Sequence, residues 1–363
     1  MISNTTTGQF CIEFTGAATG LCTGNRLYSD AYATTLDPGS LKCVDNIAVN
    51  AINTSGVAIP EQAVRIEGEH GTGLVFFVDS GAAAGGSGLS WTSAVQTVDA
   101  AVALCTADRG DTIYVAQGHY EVEAAAASIF DISVEGVSVI GVSNGTPSGV
   151  VAAGVVTGTD SQMPVFVLDH VDATVTISAA NCRLQGIRIE SDLADVKNGL
   201  TMSNASDGSV VEGCFITDGA ADEELLVGIL IAADADAIQL LNNTLSTVTG
   251  GACTHGIHLA GGCDNSIIKG NRVHGTYSTG AFIASAAPSV NTLIEDNVFI
   301  TEAAIVGCAL SATTTGYFAH NYIGSAETLV NTLTGDTAIW CHDNWTCGGP
   351  GLSGVISPAV DTD

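Results

Sequence analysis

The chain is poor in positive charge. Lys and Arg together number 9 against 38 Asp and Glu, a formal charge of −29, and the only lysines are Lys42, Lys197 and Lys269. A surface of that sign repels phosphate backbones and anionic headgroups, which excludes nucleic acid and anionic membrane as partners. It suits solubility in a cation-rich, salty medium. Long apolar runs are missing as well. No stretch approaches ~20 uninterrupted apolar residues, so no transmembrane helix is expected. The opening Met1-Ile2-Ser3-Asn4-Thr5-Thr6-Thr7 has neither a basic nor an apolar segment, so no signal peptide is expected.

Glycine is plentiful at 43 residues, and there are 11 cysteines. An odd number leaves at least one without an intramolecular partner. Cys105 falls on the apolar face of a predicted helix, and Cys214 and Cys308 fall in inward columns of a repeat, so these read as core thiols. Cys11/Cys22 and Cys253/Cys263 are spaced for bridges. Cys341 and Cys347 flank a strand whose rise of ~3.3 Å per residue keeps them apart.

The repeat occupies residues 182–345. Leu184-Gln185-Gly186-Ile187-Arg188-Ile189 returns as Val211-Glu212-Gly213-Cys214-Phe215-Ile216, then as Leu240–Leu245, Ile268–Val273, Ile294–Phe299, Phe318–Ile323 and Trp340–Trp345. Its fourth position steps from Ile187 to Cys214, Asn243, Asn271, Asn297, Asn321 and Asp343, at intervals of 27, 29, 28, 26, 24 and 22. Repeats of this length mark solenoids. A second phrase alternates with the first: Gly199–Met202, Gly228–Ile231, Gly256–Leu259, Gly280–Ile283 and Gly307–Leu310. Each turn therefore carries at least two short strands.

Strands of three to five residues with one turn per phrase describe a parallel β coil, in which each strand pairs with its counterpart one turn on at ~4.8 Å. Positions become columns. Leu184, Val211, Leu240, Ile268, Ile294, Phe318 and Trp340 form one apolar column, and Ile189, Ile216, Leu245, Val273, Phe299, Ile323 and Trp345 another. Both point inward on this reading, and both grow bulkier toward a tapering C-terminal end. Between them lies a polar structural ladder of Asn243, Asn271, Asn297, Asn321 and Asp343. Its amides can bond freed backbone groups and each other, and Asn tolerates a left-handed bend.

Upstream, residues 1–72 lack the repeat and read as a small β region or arm serving as an N-terminal attachment segment. Residues 73–348 form the β-helix and 349–363 a tail. Val95, Val98, Val102 and Cys105 recur at helical spacing, which predicts a helix over about 93–106 that caps the open end of the first coil. Thr112–Ala116, Val134–Gly141, Val165–Leu168 and Val171–Ile177 read as further strands.

Gly88-Leu89-Ser90-Trp91, the Ala/Val helix, Gly110-Asp111-Thr112-Ile113-Tyr114-Val115, Gly118-His119-Tyr120 and the Asn ladder together resemble the pectin-lyase-like superfamily. Over about residues 74–345 the chain looks most like virion-associated β-helix proteins of tailed viruses. The resemblance implies an all-β, right-handed single-stranded parallel β-helix with an N-terminal capping α-helix. It also implies side-by-side association as a homotrimer.

The superfamily's enzymes suggest where chemistry would lie. Its lyases hold calcium with clustered aspartates beside an Arg or Lys base. Arg188 and Arg272 share an outward column, and no Asp cluster is expected beside either. The Asn-Thr-Asp, Asp-Asp, Gly-His-Gly and Arg-Ile-Lys motifs of polygalacturonase-like members are absent. Paired carboxyls for glycoside cleavage have their best candidates in Asp218, Asp222, Glu223 and Glu224, and Asp234 and Asp236 form a second acidic pair. Cys253, His255, His258 and Cys263 match no standard zinc spacing, so neither metal nor cofactor is expected. Leu230, His258 and Phe282 stand in an outward column (Thr201, Leu230, His258, Phe282, Ala309) and are the candidate subunit contacts.

These readings converge on a structural virion protein at the particle surface, of capsid-decoration, turret or tail-spike type. It is expected to attach to other virion proteins through residues 1–72, to project a rigid β-helix and to meet host-surface glycans. The alternative is a polysaccharide lyase or glycoside hydrolase acting on capsular or acidic polysaccharide.

Overall fold

A computed structural model describes residues 73–142, 163–220, 222–247, 253–284, 286–325 and 338–346, together with the backbone of strands outside them. The chain divides into two units, residues 1–74 with 108–110, and residues 75–107 with 111–363.

The larger unit is an all-β parallel solenoid of right-handed type. Each complete turn contributes three strands, and every third strand pairs with the next in register. The first sheet has ten strands, from Val75–Val78 and Thr112–Val115 to Gly316–Ala319 and Ile339–His342. The second has ten, from Tyr120–Glu123 to Asn344–Gly348, closed by Leu352–Ile356 running antiparallel. The third has eight, from Ser128–Ile132 to Leu333–Thr334. The seven phrases of residues 182–345 occupy the last seven rungs of the first sheet and the strands that follow them.

The apolar columns form the core. Leu184, Val211, Leu240, Ile268, Ile294 and Phe318 are successive register partners and all are buried. Ile189, Ile216, Leu245, Val273, Phe299 and Ile323 behave likewise. In the last turn the register differs by one residue. Phe318 is paired with Cys341 and Ile323 with Thr346, while Trp340 and Trp345 pair with Tyr317 and Tyr322 on the outer face. Trp340 is 65% exposed and Trp345 57%. The two tryptophans expected to point inward at the tapering end are thus exterior. The one-residue slip moves every side chain of the rung to the opposite face.

The same slip corrects the ladder. Asn243, Asn271, Asn297 and Asn321 are buried, but the fifth rung is Asn344, not Asp343. From Asn271 on, each Asn Oδ1 accepts from the backbone N–H and side-chain Nδ2 of the Asn one turn earlier, at 2.8–3.1 Å, while Asn243 Oδ1 accepts from Cys214 N–H. Each Nδ2 also reaches a carbonyl of the preceding first-sheet strand, as from Asn271 to Leu240 at 2.8 Å. The left-handed backbone belongs to the residue before the ladder. Gly186, Gly213, Asn242, Gly270, Asp296, His320 and Asp343 all have φ between 52° and 70°. That residue turns the chain outward, and the following Asn satisfies the peptide groups the turn strips from the sheets.

The helix over 93–106 is shorter than expected. A 3-10 turn covers Trp91–Ser93 and the α-helix spans only Val98–Val102, with Thr97 Oγ1 accepting from Ala100 N–H at 3.2 Å. Val98, Ala101 and Val102 are buried in the core cluster. The free edge of strand Val75–Val78 is met by backbone instead. Phe77 N–H donates to Gly88 O, Val95 N–H to Phe77 O and Asp79 N–H to Val95 O. No helix among the described residues is long and apolar enough to cross a membrane.

In the smaller unit, strands Ile2–Asn4, Arg26–Ser29 and Asn46–Asn50 pair in parallel, with Ala63–Ile66 antiparallel at one edge. Ile12–Glu13 with Leu36–Asp37 and Leu21–Thr23 with Lys42–Val44 complete it. The pairing is again every third strand, although no recurrent phrase marks this segment. The Cys11/Cys22 bridge lies outside the residues whose side chains are described.

Removing one ladder amide leaves buried backbone groups without partners, so Asn271→Ala and Asn344→Ala are each expected to cost about 2–4 kcal/mol. Asp343→Asn, outside the ladder and at a left-handed position Asn tolerates, is expected to be near neutral. Urea unfolding of the three variants checks both the ladder and its last rung.

Candidate functional site

The acidic residues singled out in the sequence lie at the end of strand Phe215–Asp218 and in the loop that follows, which bonds Ser191 and Val196 of the preceding turn. Asp218 is buried, and its Oδ1 accepts from Leu225 N–H at 2.9 Å, so it closes the loop. Glu224 is also buried, and its carbonyl accepts from Val196 N–H. Asp222 is exposed and Glu223 half-buried, the Glu223 carbonyl accepting from Ser191 Oγ. Of the four, Glu223 alone combines partial exposure with a perturbed carboxyl. Burial, then Asp192 and Asp222, push it up.

The acidic partner of Arg188 is a glutamate on its own strand. Arg188 is only 3% exposed, its Nη2 lies 2.7 Å from Glu190 Oε2 and its guanidinium stands 5.4 Å from the centre of the Phe215 ring. Residues 188 and 190 share a face because a strand alternates. Burial raises the Glu190 carboxyl despite Arg188, and Asp192 and Glu223 add to the rise. The Tyr120 phenol, two rungs away in the same outward column, is also pushed up by burial and then by Glu190, Asp192 and Asp169. The Arg188 guanidinium is thus paired with Glu190, whose carboxyl also feels the charges of Asp192 and Glu223. Arg272, in the same column, is exposed.

Cys253 and Cys263 do not form a bridge. Both are free and buried, with the strand His255–Leu259 extended between them. Their Sγ atoms face carbonyls, Leu226 O at 3.7 Å and Ala232 O at 3.7 Å respectively. Burial pushes the Cys263 thiol up to about 12, which makes it inert. His255 and His258 stack outside the sheet with ring centres 4.3 Å apart, and burial and mutual repulsion lower His255 to about 4. The thiols and imidazoles therefore lie on opposite faces and cannot share an ion. His119 is likewise committed, with Nδ1 accepting from Ser80 N–H at 3.0 Å and Nε2 lying 3.1 Å from Glu121.

Phe282 is not a surface residue. It pairs with Ile257, is fully buried and stacks on Phe299 at 5.1 Å. Matching Gly280 to Gly256 in the sequence displaced this rung, because Gly280 pairs with His255 and Ile283 with His258. The outward column is Thr201, Leu230, His258, Ile283, Ala309. Ile283 and Ala309 are already covered within the chain, which leaves Leu230 and His258 half-exposed.

The feature the sequence reading missed is at the C-terminal turns. Tyr317 and Trp340 stack on the outer face of the first sheet, ring centres 5.7 Å apart and planes 18° apart. Tyr322 and Trp345 are neighbours on the outer face of the second. All four are exposed large rings, in a chain with only 6% aromatic residues. Exposed Trp and Tyr side by side mark a contact surface, since their rings bring large rigid area and polar edges at low entropic cost.

Glu223→Gln is expected to raise the melting temperature at pH 7. The folded-state carboxyl titrates above its unfolded value, so the fold weakens as the pH rises from the unfolded towards the folded-state value and bears the full penalty above it. Below about pH 4 both states are protonated and the gain disappears. Thermal melts at the two pH values check the sign.

None of the curated proteins compared matches the chain. A family model described as a protein of unknown function matches residues 87–338, well over half of the sequence and most of the solenoid. The chain belongs to this family, DUF1565.

Proposed function

We propose that the protein is a structural virion component, a stiff β-helix of the particle surface that presents its C-terminal turns to host glycans. The observation that carries this reading is the exposed aromatic pairs Tyr317/Trp340 and Tyr322/Trp345. Flat ring faces attract the polarised C–H faces of sugars, and adjacent rungs space the rings along an extended chain. Three continuous parallel sheets joined by a buried amide ladder supply the stiffness a spacer needs. The resemblance to virion-associated β-helices supports the location, with residues 1–72 as the attachment to other virion proteins. The segment 88–95 and the helix Val98–Val102 close the first turn.

In this reading three copies associate side by side through the third sheet around Leu230 and His258. Light scattering is expected to give three times the 36.6 kDa of one chain; a clean monomer removes the trimer. Binding to surface glycans of the host, measured by array or affinity electrophoresis, is expected to fall at least about tenfold in Trp340→Ala. Unchanged binding, or none by the wild type, contradicts the glycan role.

A second reading, cleavage of acidic or capsular polysaccharide, draws on one observation, the buried Arg188–Glu190 pair and the raised carboxyls of Glu190 and Glu223. Carboxyls raised by burial are candidates for acid–base chemistry. Release of sugar products by the wild type, abolished in Glu223→Gln, would replace the structural reading with this one.

A further inference from the structure

The bend that separates the two aromatic pairs carries a set of side chains with no part in the ladder or the core. We propose that His320 Nε2, His342 Nδ1 and Asp343 Oδ2 form a site for a divalent transition metal, with Zn²⁺ the best fit.

The ligand atoms available from these three residues lie within 4.8 Å of one another. Asp343 Oδ2 is 3.2 Å from His342 Nδ1 and 3.7 Å from His320 Nε2. The longer separation is beyond hydrogen-bond range. Both suit two donors on one tetrahedral ion, which stand about 3.3 Å apart when metal–ligand bonds are ~2.0–2.1 Å. Two imidazoles and a carboxylate favour zinc and its neighbours over calcium or magnesium, which prefer oxygen alone.

The fold fixes the three groups. His320 and Asp343 are the left-handed residues of consecutive bends, with φ of 54° and 52°. Directly behind them Asn321 N–H and Nδ2 bond Asn344 Oδ1 at 2.9 and 3.1 Å, which sets the height of one bend above the other. His342 ends the strand Ile339–His342, its ring edge-to-face with His320 at 5.3 Å. Outer partners orient His320. Glu295 Oε1 lies 3.5 Å from Nδ1, the nitrogen facing away from Asp343. Lys269 in turn holds Glu295 at 2.6 Å and Asp296 at 3.3 Å. A carboxylate on the far nitrogen of a ligand imidazole is the usual support for metal-bound His. Because Lys269 engages Glu295 and Asp296, those two serve as support, and the trio beyond them is the ligand set.

The site opens outward, since all three side chains are at least 40% exposed. Three protein ligands leave a fourth position for water or an added ligand. Tyr317 stands edge-to-face with His342 at 6.4 Å, so that position borders the aromatic face.

The test is calorimetric titration of the metal-stripped full chain with Zn²⁺, paired with Co²⁺ titration followed by visible absorption. One ion per chain and the absorption of tetrahedral cobalt with nitrogen and oxygen donors are expected. His320→Asn, which keeps a residue suited to the left-handed backbone, and His342→Gln should each weaken Zn²⁺ binding by more than about tenfold. Glu295→Gln should weaken it by about tenfold. Should a histidine variant melt early without metal, Asp343→Asn supplies the same reading, since its exposed side chain supports nothing else. No saturable binding by the wild type overturns the site. So does binding unchanged in His320→Asn, His342→Gln or Asp343→Asn, or a cobalt spectrum of thiolate ligation.

Discussion

Everything in the solenoid depends on how the chain turns between its first and second sheets. A parallel coil must bend sharply while staying in register with the turns above and below it. The bend strips peptide groups of their sheet partners inside a dry core, where an unmatched donor costs far more than a mispacked methyl. The solution is a two-residue device. One residue, Gly186 through Asp343, adopts the left-handed conformation, and the next, from Asn243 to Asn344, turns an amide inward. Each amide bonds the turn before it and is bonded by the turn after it, so register passes from rung to rung. The apolar columns on either side are aligned by this ladder.

That logic explains what was legible in the sequence. The six-residue phrase carries both apolar columns and the Asn between them, and through Phe318–Ile323 the columns read from the sequence are those of the fold. The reading failed where a local match outweighed the ladder. In Trp340-Cys341-His342-Asp343-Asn344-Trp345 the two large side chains fit the apolar positions, yet Asn344 is the residue that continues the amides. The decisive constraint is polar, and buried Asn positions should have set the alignment. Gly280 misled in the same way. Glycine at Gly199, Gly228 and Gly256 reflects close approach of neighbouring backbones, a requirement that Ala281 meets in the next turn. The six-residue phrase itself spans two strands, because the left-handed residue within it divides the first sheet from the second, and the second phrase is the strand of the third sheet.

The carboxyls around Arg188 were half legible. Arg188, Glu190 and Asp192 alternate along one strand and could have been read as one outward face. Their meeting with Glu223 depends on a loop from the next turn folding back, and no local pattern encodes that. The histidine bend was hidden by the register slip that placed Asp343 in the core. Once Asn344 takes that place, His320 and Asp343 become equivalent outward residues of consecutive turns.

On the proposed reading, function concentrates at the C-terminal turns, where exposed aromatics flank a bend carrying imidazoles and carboxylates, while the middle of the solenoid supplies length and stiffness. The most direct measurement of this account is quantitative mass spectrometry of density-purified virus particles from the source culture. Peptides of this chain are predicted to band with the particles, in fixed ratio to the major capsid protein. Their recovery only from cell or soluble fractions, with no enrichment in particles, would contradict it.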